Sequence, residues 1–581
     1  MKRWLLLVCL LLCVPVAKGQ EAVELLLAEL EDEVEAEWLG SLLAERLVQP
    51  LNINSASEEE LLELPYFDTF FVRNLLLERS RRGGRFRSIY ELKEIQGAPL
   101  QQLPLLEPFI IAGASEEQQP EPVLTQELFG GLEGQLPIRR DQYRGIGWGA
   151  RYSGHIGSRH TWSVVAERDR GEPRTVDYLS VSYRYQGAQW SIIAGDYRVS
   201  AGLGIHLGQS LSYFSKMELS GQAPSVGQRV LRQHSSFREY GFLRGIGAGI
   251  DLGALDVVLF GGAEPVDARV EGNRVITLSP GGMHRTTSEV ARRHTTQRTT
   301  AGAVISYRIK DMEVGGTAMM QRYLSPSFGE MEAPAKHRQL KSASLFFQYQ
   351  KSRWQIAGES LLAKRDEISS LATLSYHNDR LGRFSLSGYY TGAHYYTAYG
   401  FSRGKRGIEA SWSGELARRW SGMLYFSRSD KGWAATARAE YRHRKHAFQG
   451  RIRYANQRIT ARFAYQYHPD RQLTWQSGLN LSQTAWGLFV RGQWQFDQGL
   501  RAEGGLQYFS TDGGVIRADQ PYMPWRYYTP MLRGKGVRTT AQLRYTVQTV
   551  QINLRTAHTF YQELPSTPLP TLFELSTIIK L

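Results

Sequence analysis

Residues 408–416 read Ile-Glu-Ala-Ser-Trp-Ser-Gly-Glu-Leu, so that apolar or small side chains alternate with polar ones. Successive side chains of a β-strand point to opposite faces, and the alternation therefore predicts a strand with one apolar and one polar face. The same pattern returns at 179–185, 435–442 and 550–555 and continues through most of the chain that follows the first 124 residues. Asp, Gly, Asn and Lys residues separate the runs, as at 429–432, and predict short turns.

Two architectures share this alternation. A soluble sandwich or propeller turns the apolar faces inward, whereas a transmembrane barrel turns them to lipid and encloses the polar faces in its lumen. The polar faces combine Arg with Glu, and Tyr and Trp cluster at 389–399 and 522–528, which is typical of interfacial girdles. No repeat of about 40–50 residues indicates a propeller. We therefore expect a mainly β protein with a large antiparallel transmembrane β-barrel of roughly 22–26 strands over residues 125–581.

The end of the chain and two long interruptions add detail to this barrel. Residues 573–581 alternate as a strand, similar to the terminal strand read by barrel-assembly machinery, although the last residue is Leu where Phe is usual. The Gly/Ser-rich stretch 200–238 and the Arg-containing stretch 264–300 interrupt the alternation. We expect them to be long extracellular loops, or one of them to fold into the lumen as a plug.

The N-terminus predicts export. Residues 1–19 combine the basic residues Lys2 and Arg3 with an apolar core that is too short to span a membrane, which favours a signal peptide over an anchor. The only cysteines, Cys9 and Cys13, lie in this stretch, so the mature chain has none. Disulfide scaffolds, Cys-ligated zinc, iron–sulfur clusters and thiol catalysis are thereby excluded. We expect the protein in the outer membrane of a Gram-negative envelope.

Charge is distributed unevenly along the chain. The formal net charge is +14. Residues 20–64 nevertheless hold 13 acidic residues against the single base Arg46, a net charge of −12. Within this region, 20–50 repeats leucines at helical spacing and predicts an acidic amphipathic helical lead. The remaining positive charge falls largely on the predicted strands and loops, where a lumen or anionic lipid explains it without nucleic acid.

Residues 51–112 predict a small all-α domain, joined to the barrel by a polar linker at 113–124. Overlapping capping boxes at 55–60 open a first helix, and Pro65 ends it. A second helix is expected over 69–81, ended by two glycines. A capping box at 88–91 opens a third helix and a fourth follows over 100–106, which gives two successive helix-turn-helix units.

This domain resembles the tandem helix-hairpin-helix domain of the competence-type DNA receptor. The resemblance rests on Asn-Ile-Asn-Ser-Ala-Ser at 52–57, Phe-Arg-Ser-Ile-Tyr-Glu-Leu at 86–92 and Phe-Ile-Ile at 109–111. With the segments 195–198, 242–245 and 265–268, the chain also resembles a family of envelope proteins in which a helix-hairpin-helix domain precedes a large outer-membrane barrel. These resemblances imply the architecture and the location, but no activity.

The hairpins are the candidate binding elements. In the DNA-receptor family they carry Gly-x-Gly, whose backbone N–H groups cradle a phosphate. The first hairpin here contains Tyr66, Phe67 and Asp68, and the second contains Gly97 and Ala98. A bulky side chain and a carboxylate oppose phosphate binding, so docking of a protein partner or of the barrel mouth is the preferred interpretation. Candidate basic contacts are Arg73, Arg79, Arg81, Arg82, Arg85, Arg87 and Lys93.

No catalytic, cofactor or metal site is predicted, because the sequence lacks a Gly-x-Ser-x-Gly elbow and a His-Glu-x-x-His helix. His443 and His446 are three positions apart, and on one strand they would lie on opposite faces. The glycines of 145–150 imitate a dinucleotide loop but lie within an alternating strand, so we expect barrel glycines there.

The sequence therefore predicts a non-enzymatic outer-membrane barrel whose periplasmic helix-hairpin-helix domain docks a partner or gates the barrel. Its expected partners are outer-membrane lipid and a periplasmic or envelope protein. Three alternatives remain open: a DNA-binding component of a DNA-uptake apparatus, a simple channel or porin, and an envelope hydrolase with its site in the lumen.

Overall fold

The structure, a computed structural model, describes most of the chain after residue 50. The described residues are 22–23, 26–27, 39–40, 42–43, 46–47, 50–56, 58–100, 102–113, 124–136, 145–157, 159–208, 217–218, 226, 231–271, 274–279, 282–324, 330–331, 339–362, 368–392, 398–399, 406–470, 472–496, 499–525, 529–562 and 571–581. The predicted signal peptide, most of the acidic lead and residues 114–123 of the linker lie outside these residues.

Residues 51–111 form a small helical domain, and helical residues of the acidic lead, among them Val23, Leu26 and Leu39, pack in its apolar core. Its elements are β1 (Leu51–Asn52), α1 (Glu58–Glu63), α2 (Thr69–Arg81), a 3₁₀ helix (Ile89–Glu94), α3 (Leu103–Leu106), a second 3₁₀ helix (Glu107–Phe109) and β2 (Ile110–Ile111). The strands β1 and β2 pair in parallel and bring the two ends of the domain together. No helix within the described ranges is long and apolar enough to cross a membrane.

Local signals explain where these helices begin and end. Asp68 caps α2 by accepting a hydrogen bond from the backbone N–H of Phe71, and Gly83 and Gly84 follow its end with positive φ angles. The predicted range of α2 is thus confirmed. The capping box at Ser88 is also present, but it opens a short 3₁₀ helix rather than the expected α-helix. The fourth helix is shorter than expected as well.

Among the described residues after 113, the structure is mainly β, with a short helix α4 (Thr287–Arg292) and helical residues at 217–218. The strands are β3 (Leu124–Leu136), β4 (Ile146–Ile156), β5 (His160–Arg168), β6 (Tyr178–Gln186), β7 (Trp190–Val199), β8 (Leu231–Gln233), β9 (Leu243–Asp251), β10 (Leu255–Val266), β11 (Ala268–Glu271), β12 (Arg274–Leu278), β13 (Thr296–Ile309), β14 (Met312–Leu324), β15 (Glu330–Met331), β16 (Gln339–Lys351), β17 (Trp354–Leu362), β18 (Ser369–Asn378), β19 (Gly382–Thr391), β20 (Arg406–Ala417), β21 (Trp420–Ser429), β22 (Gly432–His443), β23 (His446–Ala455), β24 (Arg458–Tyr467), β25 (Leu473–Ser482), β26 (Ala485–Gln495), β27 (Leu500–Thr511), β28 (Ile516–Arg517), β29 (Met531–Leu532), β30 (Lys535–Val547), β31 (Val550–Tyr561) and β32 (Thr571–Lys580).

Twenty-four of these strands form one closed antiparallel barrel, within the predicted range. The barrel closes where β3 pairs with the terminal strand β32, which confirms that the end of the chain is a strand. The short strand β8 adds to β7 alone, and β11, β12 and β15 form a small separate sheet, as do β28 and β29.

The alternation in the sequence separates the outside of the barrel from its lumen. Ile408 is 62% exposed, while its neighbour Glu409 is 2% exposed and faces inward. Leu386 and Ser387 repeat this contrast on β19. An apolar exterior with buried polar side chains inside identifies a membrane-spanning barrel. The glycines of 145–150 belong to β4 or precede it, and are barrel glycines as expected.

The predicted aromatic girdle is partly wrong. Tyr399, Tyr522 and Trp525 are buried, because they belong to connections that fold over or into the lumen. Aromatic pairs do occur at strand ends on the outer surface, such as Trp354 with Tyr376 at a centroid distance of 4.5 Å. Clustering of aromatics in the sequence therefore did not distinguish lumen segments from girdles.

The two ends of the barrel differ. At one end, which we call the short-turn end, turns of two to five residues join the strands and the C-terminus lies beside the start of β3. The other, long-loop end carries the connections 200–242, 267–295 and 512–534. This asymmetry is characteristic of outer-membrane barrels, whose short turns face the periplasm.

Candidate functional site

The helical domain contacts the barrel through the capping residue of its longest helix. Asp68 pairs with Arg383 of β19, and both side chains are about nine-tenths buried, with 10% and 11% exposed. Arg383 alternates with the outward Phe384, which is 42% exposed, and shares the inward side of β19 with the buried Ser385. The domain is therefore held by the inner wall of the lumen.

Further contacts surround this ion pair. The ring of Phe70 stacks on that of His377 of β18, with a centroid distance of 4.6 Å. The side-chain amide of Gln96 donates to Oδ1 of Asp379, in the turn after β18, at 2.9 Å. All of these contacts lie at the short-turn end, so the domain occupies that mouth of the barrel.

A cavity of about 540 Å³ remains between the domain and the wall. The second hairpin and the first hairpin line one side, and the starts and ends of β18–β22 line the other. Acidic and basic side chains are mixed around it, including Lys93, Glu94, Arg438 and Glu440. Its lining thus has no single sign of charge that would select an anion.

The predicted hairpin residues do not form one exposed binding surface. Phe67 is 2% exposed and packs edge-to-face on Phe71 at 4.8 Å, so it belongs to the domain core. Tyr66, Asp68, Gly97 and Ala98 all line the cavity against the barrel. Gly97 has a φ of +86°, and an added Cβ would lie 2.6 Å from Cδ1 of Phe70, the ring that stacks on the wall. Glycine at position 97 therefore lets the second hairpin pack closely on Phe70, beside the barrel wall.

The candidate basic contacts are dispersed. Arg79 donates to the backbone oxygens of Ile53 and Ala56 and ties the domain together. Arg82 pairs with three acidic residues of the domain, at 2.5–3.1 Å. Arg73 donates to the backbone oxygen of Gln350 at the barrel mouth. The exposed members are Arg81, Arg85, Arg87 and Lys93.

The stretch expected as a loop or plug does enter the lumen. Ala201, Leu203, Ile205 and Leu207 are at most 5% exposed, and they pack with inward side chains of the wall. We call residues 200–208 the lumen segment. Its backbone carries the N–H groups that the wall residue Glu359 of β17 binds.

Glu359 holds the lumen segment in an unusual way. The carboxylate is 3% exposed and accepts backbone hydrogen bonds from Leu203 at 2.8 Å, Ile205 at 3.1 Å and His206 at 3.3 Å. Gly202 has a φ of +61°, and a Cβ there would lie 2.8 Å from the carboxylate carbon of Glu359. Three convergent N–H groups form a concave anion site that a carboxylate of the wall fills.

A second connection enters from the same end. Within 512–534, Trp525 packs over Gly131 and Gly149 of the wall, and Asp519 pairs with Arg462 at 2.8 Å. Tyr522 belongs to the same buried apolar cluster as the core of the helical domain. The lumen therefore contains material from both ends of the barrel, which meets in one core.

The residues of the barrel wall that bind the helical domain and the lumen segment were not predicted from the sequence. Arg383, His377 and Glu359 lie on barrel strands β19, β18 and β17, but nothing local in the sequence marks them as partners of distant segments. One expectation about histidines was wrong: His443 and His446 flank a two-residue turn and pair across β22 and β23, so they lie on the same face.

No protein-family model matches the chain, and no curated protein matches it. Among solved structures, it is similar to the P pilus usher PapC translocation pore, with 11% identity, a TM-score of 0.36 and coverage of 79% of this chain and 99% of that one. It is also similar to the FrpB iron transporter from Neisseria meningitidis, with 10% identity, a TM-score of 0.36 and coverage of 81% and 85%. It is similar as well to the outer membrane protein OprD from Pseudomonas aeruginosa, with 11% identity, a TM-score of 0.28 and coverage of 49% of this chain and 89% of that one.

No activity of these proteins is transferred to this chain, since the TM-scores lie below 0.5. The closed barrel, its apolar exterior and its polar lumen define the class of the protein. The chain is an integral outer-membrane β-barrel protein.

Proposed function

We propose that the protein is a gated outer-membrane channel and that its helical domain is the gate. Short turns face the periplasm in barrels of this class, so the proposal places the domain in the periplasm. In this proposal the domain is of the helix-hairpin-helix type, and its hairpins bind the barrel wall instead of a nucleic-acid phosphate.

The buried pair of Asp68 and Arg383 carries the proposal. Removing one member of a buried ion pair leaves an uncompensated charge and costs about 3–5 kcal/mol. The same side chain caps α2, so the contact is coupled to the fold of the domain. Such a contact supports one defined, closed position rather than a freely hanging domain.

The lumen segment supplies a second barrier in the same proposal. Three charge-assisted hydrogen bonds join its backbone to Glu359 without a strand pairing to β17, and its apolar side chains pack against the wall. Charge-assisted hydrogen bonds of this kind contribute about 1.5–3 kcal/mol each, which a bound substrate or a moving domain can offset. We therefore propose a closed resting state with two releasable elements.

A non-enzymatic role is part of the proposal. The charged groups around the domain contact pair with each other, as Arg353 does with Asp379, and so are used to hold the closed position. The dispersal of the basic residues favours gating over DNA uptake, because three of the seven, Arg79, Arg81 and Arg82, have partners within the domain itself.

Planar-bilayer recording of the full-length protein tests the gate. The Asp68→Asn variant keeps a good helix cap and loses the ion pair, and we expect it to open more often than the wild type. Arg81→Gln is the matched control, since Arg81 lies on the same helix and its side chain is 77% exposed. If Asp68→Asn and the wild type open equally often, the domain is not the gate. Salt-dependent binding of duplex DNA by the full chain would favour the DNA-uptake alternative instead.

A further inference from the structure

Two connections of the long-loop end meet around one buried histidine. Glu172 and Asp177 lie between β5 and β6, whereas Asp267 and His284 lie between β10 and β13. Glu172, Asp177 and His284 are 1%, 8% and 2% exposed. This cluster is remote from the helical domain and has no part in the gate.

One ring nitrogen of His284 is fixed by a carboxylate. Its Nε2 lies 2.7 Å from Oδ2 of Asp267, whose other oxygen accepts from the backbone N–H of His294 at 2.8 Å. A carboxylate can only accept, so Nε2 carries the hydrogen. Histidines that bind metal ions are commonly oriented in this manner, with the far nitrogen donating to a carboxylate.

The other ring nitrogen faces two further carboxylates. Nδ1 of His284 contacts Oδ2 of Asp177, and one donor atom each from His284, Asp177 and Glu172 all lie within 4.8 Å of one another. With its hydrogen on Nε2, a neutral imidazole would direct a lone pair at these oxygens. A cation is therefore required between them, either a proton on Nδ1 or a metal ion.

The two carboxylates are themselves held in place. Glu172 accepts from the backbone N–H groups of His284 at 3.0 Å and Asp169 at 2.9 Å. Arg293 binds Oδ1 of Asp177 and leaves Oδ2 directed at His284. Ligands oriented by such hydrogen bonds are a property of built metal sites.

The net charge of the groups around His284 also favours a bound cation. Three carboxylates surround His284, and Arg293 binds one of them, so a neutral His284 would leave two negative charges among these described groups. A divalent ion would balance this excess.

We propose that Glu172, Asp177 and His284 bind one divalent transition-metal ion of the Zn²⁺ type. Imidazole and carboxylate together suit Zn²⁺, whereas Ca²⁺ prefers oxygen ligands alone. Three protein ligands leave a fourth position for water. The ion links the connection after β5 to the connection after β10. It thereby holds two connections of the long-loop end together.

Calorimetric titration of the chelator-treated, full-length protein in detergent with ZnCl₂ tests this site. We expect one Zn²⁺ per chain with a Kd of micromolar or tighter, and weaker binding of Ca²⁺. The variants His284→Gln and Glu172→Gln should each lower the affinity at least 10-fold. Asp267→Asn, which removes the carboxylate that orients the ring but removes no ligand, should lower it about 10–100-fold. Glu289→Gln, in the same connection but outside the cluster, is the control.

Two further measurements make the result decisive. Co²⁺ in place of Zn²⁺ should give a visible absorption band that His284→Gln abolishes, while the heat-modifiable gel mobility of that variant shows that the barrel is folded. Zn²⁺ binding that is no tighter in the wild type than in His284→Gln would overturn the proposal, because His284 would then hold only a proton. Ca²⁺ binding that is tighter than Zn²⁺ binding would also overturn it.

Discussion

Asp68 binds two parts of the protein at once: Oδ1 accepts the backbone N–H of Phe71 at 2.7 Å, and Oδ2 pairs with Arg383 of the barrel wall. One carboxylate therefore starts a helix and fastens that helix to the lumen. The position of the domain and the geometry of its first hairpin are coupled through this side chain. The contact can be dissected because Asn replaces Asp as a helix cap with little loss.

Loss of the ion pair should expose the inner wall beneath the domain. Ser413 lines the interface cavity, and a Ser413→Cys variant offers a single thiol once the predicted signal peptide, with Cys9 and Cys13, is removed. Asp68→Asn should raise the rate at which a bulky maleimide labels this thiol by 10-fold or more, since a buried pair is broken.

A double-mutant cycle provides the control for that measurement. Arg383→Gln should raise the labelling rate by a similar factor, and combining it with Asp68→Asn should add little, because the two residues act through one contact. Additive effects, or a labelling rate unchanged by either substitution, would contradict the assigned contact.

The lumen segment should loosen when Glu359 is changed. The N–H groups of Leu203 and Ile205 share Oε2 of Glu359, and that of His206 binds Oε1. In Glu359→Gln one oxygen becomes an NH₂ group that cannot accept, so one or two of the three N–H groups lose their acceptor. We expect faster hydrogen exchange at these amides, by at least 10-fold, and a higher frequency of open channels. Glu415→Gln, an exposed carboxylate near the end of β20, is the control and should leave the exchange rates unchanged. Equal exchange in all three proteins would show that Glu359 does not hold the segment.

Gly131 and Gly130 offer a matched pair on β3. A Cβ on Gly131 would lie 2.4 Å from the Trp525 ring, whereas a Cβ on Gly130 would meet nothing within 4 Å. Gly131→Ala should therefore destabilise the barrel by about 1–3 kcal/mol or displace the connection that carries Trp525. The midpoint of the heat-modifiable gel shift should fall for Gly131→Ala and remain unchanged for Gly130→Ala.

A rescue experiment tests whether the contact with Trp525 causes the lower midpoint. In a Trp525→Ala background, Gly131→Ala should lower the midpoint by much less than it does in the wild type, because the clashing ring is gone. An equal loss in both backgrounds would mean that the connection does not pack on β3 at this point.

Local patterns in the sequence predicted the elements well. The alternation at 408–416 arises because one face of the strand contacts lipid and the other faces the lumen. It therefore predicted both the strand β20 and the opposite sides that Ile408 and Glu409 face. The expected range 69–81 of α2, ended by two glycines, likewise agrees with the structure. These features depend on neighbours in sequence, which the chain displays directly.

Contacts between distant segments were not predictable in the same way. In the sequence, Arg383 has the pattern of any lumen-facing residue, and only the structure shows that Asp68 contacts it. The aromatics at 522–525 have the pattern of a girdle, and only the structure shows that their connection folds inward. His443 and His446 were assigned to one strand, and the turn between them reverses the relation of their faces. Each error concerns the path of the chain between elements, which periodicity does not encode.

The central claim, that the helical domain closes the barrel, is tested most directly by a reversible tether. Gln96 and Asp379 are hydrogen-bonded across the interface at 2.9 Å, so Gln96→Cys and Asp379→Cys can be joined by a short bis-methanethiosulfonate reagent. In the Asp68→Asn background, single-channel recording should show closure when the tether forms and reopening when a reductant cleaves it. A conductance that stays the same before and after tethering would contradict the account.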